Sequence, residues 1–115
     1  MGSSDKLIDE QTTMLFHAVL SLRTVDECYR FFEDLCTVAE ISSLAQRFKV
    51  ARMLDQGLTY SEISRLTGAS SATISRVKRF LHYGADGYRI VLDRMRHQGE
   101  SPSRTMPPDT SEPGS

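Results

Sequence analysis

Cysteine and histidine are scarce, and neither is clustered. The 115 residues hold only Cys28 and Cys36, with His17, His82 and His97 widely spread. None falls at the spacings a zinc site requires. No glycine-rich loop follows a strand-like run, and no paired groups that activate a nucleophile are visible. Catalysis, a metal and a cofactor are therefore not expected. No apolar run is long enough to cross a bilayer. The opening MGSSDKLIDE is acidic and polar, without a secretory signal. The expectation is a cytoplasmic chain with no membrane partner. Sustained period-two alternation is missing, which excludes a sheet of any size. All four prolines lie beyond His97.

The length predicts one domain with a modest core. The net charge of −1 conceals an asymmetry. Before residue 42 there are only Lys6, Arg23 and Arg30 against eight acids. Residues 42–96 hold ten Lys or Arg against Asp55, Glu62, Asp86 and Asp93. Such a basic segment is the electrostatic footprint of nucleic-acid binding.

Apolar spacing and caps predict an all-α chain of about six helices. Residues 1–8 read as a flexible start. The first helix runs from about Asp9 to Leu22, with Leu15, Ala18, Val19 and Leu22 on one face. Thr24 and Glu27 form a capping box, followed by Val25, Cys28, Tyr29, Phe32, Leu35 and Cys36 at helical spacing. Cys28 and Cys36 stand about 12 Å apart along that helix, too far for a bridge, and read as buried free thiols of a reduced compartment. Thr37 and Glu40 open a third helix whose stripe is Ile41, Leu44, Ala45, Phe48, Ala51 and Leu54, ending at Gly57. Asp86 can cap a last helix bearing Tyr88, Val91, Leu92 and Met95. From 97 to 115 the composition is that of a disordered tail. Residues 9–96 are thus the folded unit. The first two helices carry more large apolar side chains than one contact needs, which predicts a homodimer; the alternative is a compact bundle that buries both faces within one chain.

The most informative stretch is GLTYSEISRLTGASSATISRVKRFL, residues 57–81. Thr59 and Glu62 make a capping box, and Ile63 and Leu66 give a short helix its apolar face. Gly68 tolerates the left-handed conformation of a helix end. Ser70 or Ser71 caps the next helix, whose buried stripe is Ile74, Val77 and Leu81. Its other side carries Ala72, Thr73, Ser75, Arg76, Lys78 and Arg79. Small and hydroxyl residues at the start admit base edges, and cations further along reach phosphate or guanine. This is the layout of a helix-turn-helix. Thr59, Ser61, Ser64, Ser70 and Ser71 complete the expected DNA-binding set.

The segment from Thr37 to Leu81, and above all GLTYSEISRLTGASSATISR, resembles the tryptophan repressor superfamily. Residues 9–96 as a whole are similar to its YerC/YecD branch of bacterial transcriptional regulators. The resemblance implies an intertwined, all-helical homodimer on double-stranded DNA, with one helix-turn-helix per subunit. It assigns Ser71, Ala72 and Ser75 to base edges, and Thr73, Lys78 and Arg79 to the DNA backbone. Ser61 and Ser64 stand where the repressor has longer basic residues. Thr37, Arg47 and Arg76 match residues around the bound tryptophan and are the candidate ligand site. However, Val77 replaces a glycine and Phe80 a serine of that pocket, so both are expected to fill it. Arg47 and Arg76 would then meet phosphate, or an acid such as Glu40.

The expected function is a sequence-specific transcriptional regulator, a repressor, that works without tryptophan. One alternative is the same dimer gated by a different small-molecule corepressor. The other is a helical adaptor that binds protein through Tyr60, Arg65 and the basic face.

Overall fold

The computed structural model describes residues 8–99. Among them there are six helices and no strand: α1 Glu10–Leu20, α2 Val25–Leu35, α3 Val38–Asp55, α4 Tyr60–Thr67, α5 Ser71–Tyr83 and α6 Gly87–Gly99. Most of the expected flexible start, and residues 100–115 of the expected tail, lie outside the described residues.

Local chemistry sets most of the boundaries. Thr37 and Thr59 each accept from the backbone three residues on, while Glu40 and Glu62 reach back to the Thr37 and Thr59 N–H groups. Both reciprocal boxes satisfy donors that the first helical turn leaves free. Thr24 forms only half of the expected box. Its hydroxyl accepts from the Glu27 N–H at 3.0 Å, but the Glu27 carboxylate takes the Arg23 N–H at 2.8 Å. α1 starts under an Asp9 cap that accepts from the Thr12 N–H at 2.7 Å. It ends at Leu20, two residues before the expected end. Asp86 precedes α6 with φ 69°, and its carbonyl oxygen accepts from Ile90.

The core consists of Val50, Ala51, Ile63, Ala69, Ile74, Val77, Leu81 and Leu92. Phe48, Met53, Leu54, Leu58, Tyr60 and Tyr88 pack against it. The second half of α3 is therefore the support on which α4, α5 and α6 lie. The stripe of α5 is buried as its spacing predicts. Three expected stripes are covered only in part. Leu44 and Ala45 of α3 are exposed, Leu66 of α4 is 46% exposed, and Val91 and Met95 of α6 face outward. These residues lie on the periodic faces, but no described residue covers them fully.

α1 and α2 bury no residue within the subunit. Met14, Phe16, Leu20, Val25, Tyr29 and Leu35 remain exposed. Cys28 is exposed, and Cys36 is half-buried as the extended residue that ends α2. The expectation of two buried thiols is thereby corrected: both are free, but Cys28 is exposed and Cys36 only half-buried.

Candidate nucleic-acid interface

The interface is built outward from the turn between α4 and α5. The Gly68 N–H closes α4 on the Ser64 carbonyl, and its φ of 74° turns the chain at a cost other residues would feel. Ala69 follows and is buried, anchoring the turn in the core. Thr67 reinforces it twice: its hydroxyl donates to the Ile63 carbonyl at 2.7 Å and accepts from the Ala69 N–H at 3.1 Å. From α3, Gln46 donates to the Thr67 carbonyl at 3.2 Å. α4 and α5 are thus fixed to each other and to α3.

Ser70 caps α5, accepting from the Thr73 N–H at 3.2 Å and donating to the Thr73 hydroxyl at 3.1 Å. Thr73 is therefore half-buried and held within the cap. Ser71, Ala72, Ser75, Arg76, Lys78 and Arg79 are exposed along the outer side of α5. Thr59, Ser61 and Ser64 are exposed on or beside α4. The structure brings Ser75 to α4 directly: its hydroxyl donates to the Tyr60 hydroxyl at 3.4 Å. Thr59 is occupied as a cap, and its N–H and hydroxyl hold the Glu62 carboxyl below the usual range.

The cations separate into two kinds. Arg89 and Arg96 of α6 are neutralised by acids. Arg89 meets Asp55 at 2.9 Å and Asp93 at 3.6 Å, while Arg96 meets Asp93 at 3.1 Å and also Asp55. The Arg89 hydrogen bond, with both positive charges behind it, holds the Asp55 carboxyl below its ordinary value against the opposing effect of burial. By contrast, Arg76, Lys78 and Arg79 meet no carboxylate among the described residues. Arg76 and Arg79 lie over the Phe80 ring at 5.7 and 5.2 Å from its centroid, and Lys78 lies over Tyr60 at 5.6 Å. The uncompensated positive charge of the basic segment thus includes this face of α5.

The candidate ligand residues have other neighbours. Thr37 is the α3 cap, its hydroxyl accepting from the Glu40 N–H at 3.1 Å. The Glu40 carboxylate is taken by the Thr37 N–H at 2.8 Å. Arg47 lines a shallow groove with Cys36, Glu40 and Leu44. Val77 is 1% exposed and belongs to the core. Phe80 lines an apolar groove with Phe48, Tyr88 and Val91. Two placements lacked a readable signal. Gln46 and Ala69 support the turn through interactions that no short-range pattern marks. The Arg76–Phe80 pair, four apart on one helix, was open to a local reading. Tyr60 over Lys78 depends on how two helices cross.

A family model described as Trp repressor protein matches residues 10–96. The uncharacterized YerC protein of Bacillus subtilis (strain 168) is 56% identical over 101 residues, spanning 87% of this chain and 97% of that protein. The crystal structure of a TrpR-like protein from Eubacterium eligens ATCC 27750 is 54% identical, with a TM-score of 0.78. The match covers 81% of this chain and 96% of that one.

Proposed function

The chain belongs to the Trp repressor protein family, and we propose that it is a sequence-specific DNA-binding transcriptional regulator acting as a homodimeric repressor. Residues 9–96 form the dimerisation and DNA-binding unit in this reading, and α4–α5 is its helix-turn-helix. The observation that carries it is the exposed face of α5: small residues at the start, then three cations that no carboxylate among the described residues neutralises.

α5 enters the major groove by its N-terminal turn, with Ser71, Ala72 and Ser75 at base edges. Arg76, Lys78 and Arg79 supply salt-dependent affinity for phosphate, and Thr73 adds to the backbone contacts. Thr59, Ser61, Ser64 and Ser70 complete the DNA-facing set. The bare apolar surfaces of α1 and α2 support a second subunit, which sets two recognition helices on two half-sites. The regulator needs no tryptophan and works in the cytoplasm. What supports ligand independence is that Val77 is a core residue and that Phe80 lies beneath two arginines, one of them Arg76 of the candidate ligand set.

The test is selection of bound duplexes from a random pool at fixed salt, with and without L-tryptophan. A two-fold related consensus that tryptophan does not alter is the expected result. A consensus only with tryptophan would overturn ligand independence, and no enrichment in either arm would overturn sequence-specific binding. On the selected duplex, Arg76→Ala is expected to weaken binding roughly tenfold, the worth of one charge-assisted hydrogen bond.

A further inference from the structure

All three cations on the outer face of α5 rest on aromatic rings, and none rests on an acid among the described residues. Arg76 and Arg79 lie over Phe80, and Lys78 lies over Tyr60 from the neighbouring helix. The α6 arginines show the other way to hold such a side chain, against Asp55 and Asp93. The two ways differ in what remains for a polyanion. A carboxylate fixes a guanidinium but cancels its charge, so the pair must break before phosphate can be met. A ring attracts the cation through its quadrupole and leaves the net charge intact. It also removes part of the rotamer freedom that Lys and Arg otherwise lose on binding.

Resting on the DNA-binding reading above, we propose that Phe80 and Tyr60 are positioning residues that preorganise Arg76, Arg79 and Lys78 for the phosphate backbone. Neither ring touches DNA in this role. Phe80 is 43% exposed and outside the buried core, so its place is not explained by core packing alone. Tyr60 has a second tie, since its hydroxyl accepts from Ser75 on α5. Together they link the aim of the three cations to the packing of α4 against α5.

The test uses the full chain and a mixed-sequence duplex, so that it depends on phosphate binding alone. Affinity is measured against salt for Phe80→Leu and Phe80→Tyr, and for Tyr60→Leu and Tyr60→Phe, with melting temperature recorded for each. Phe80→Leu and Tyr60→Leu are expected to bind roughly three- to tenfold more weakly, the range of one cation–ring attraction. Their salt slope should match that of the unaltered protein, because the cations still reach phosphate. Phe80→Tyr and Tyr60→Phe, which keep a ring, restore the affinity. Arg76→Ala instead lowers the slope, by about 0.9 for each phosphate it no longer neutralises. Unchanged affinity in the leucine variants overturns the proposal. So does a weakening that the ring-bearing variants fail to restore, or one that only follows a lowered melting temperature. If the unaltered protein binds no duplex at low salt, the DNA reading itself fails, which is a different outcome from unaltered binding with indifferent leucine variants.

Discussion

Two glycines near the end of α5 have opposite requirements. At Gly84 a Cβ would stand 2.5 Å from the Phe80 carbonyl oxygen and 3.2 Å from that residue's Cα, both backbone atoms that cannot turn aside. Its φ of −88° is ordinary, so the demand is for space and not for left-handed freedom. Gly84→Ala is expected to cost about 1–3 kcal/mol, in the range of local backbone strain. Gly87 opens α6 with nothing within 4 Å of a Cβ. Gly87→Ala is expected to add about 0.5–1 kcal/mol, mainly by restricting the unfolded chain. Urea denaturation of both variants checks the opposite signs. No sequence pattern marks the close approach at Gly84, since it depends on where the last turn of α5 places one carbonyl. The same limit holds in the interface. Ser70, Ile74 and Val77 were legible from spacing, whereas the ring beneath Lys78 comes from another helix.

At the scale of the helix, local signals proved readable and tertiary ones only halfway. The Thr37–Glu40 and Thr59–Glu62 boxes formed as their three-residue spacing predicts, because both partners lie within one turn. Thr24 and Glu27 have the same spacing, yet the Glu27 carboxylate bonds the Arg23 N–H instead. Periodicity also identified the apolar face of α3 without telling which half is covered; the packed half is the one under α4, α5 and α6. That same end of α3 carries Asp55, whose side chain is 16% exposed and bridges to Arg89 and Arg96 of α6. Its folded pKa is lowered relative to the unfolded chain. The bridge therefore contributes in full above the ordinary carboxylate value of about 4, and its contribution is lost as pH falls through the folded value. Asp55→Asn is expected to cost about 1 kcal/mol at neutral pH. The difference from the unaltered protein should vanish near the acid end of a urea-denaturation series. A difference that persists unchanged there would assign the effect to packing and not to charge.

Among the described residues, α1 and α2 hold large apolar side chains away from the core. Leu20, 80% exposed, is a clear case. In an isolated subunit Leu20→Glu would change stability by no more than about 0.5 kcal/mol, the usual effect of a surface substitution. In a homodimer it puts a charge into the interface, so sedimentation equilibrium should show a shift toward monomer. The melting temperature of the unaltered protein should rise with protein concentration, as it does when subunits stabilise each other. Equal mass and melting behaviour in both proteins would argue against these helices as the contact. The layout also sets an order of events in folding. Among the described residues, every core residue falls between Val50 and Leu92, so the packing that builds the core lies within the stretch from α3 to α6. Helical structures with such short-range packing form in microseconds to milliseconds. α1 and α2 add no buried residue to that core. In the proposed homodimer, refolding is expected to divide into a first-order collapse of the C-terminal helices and a second-order docking whose half-time lengthens on dilution.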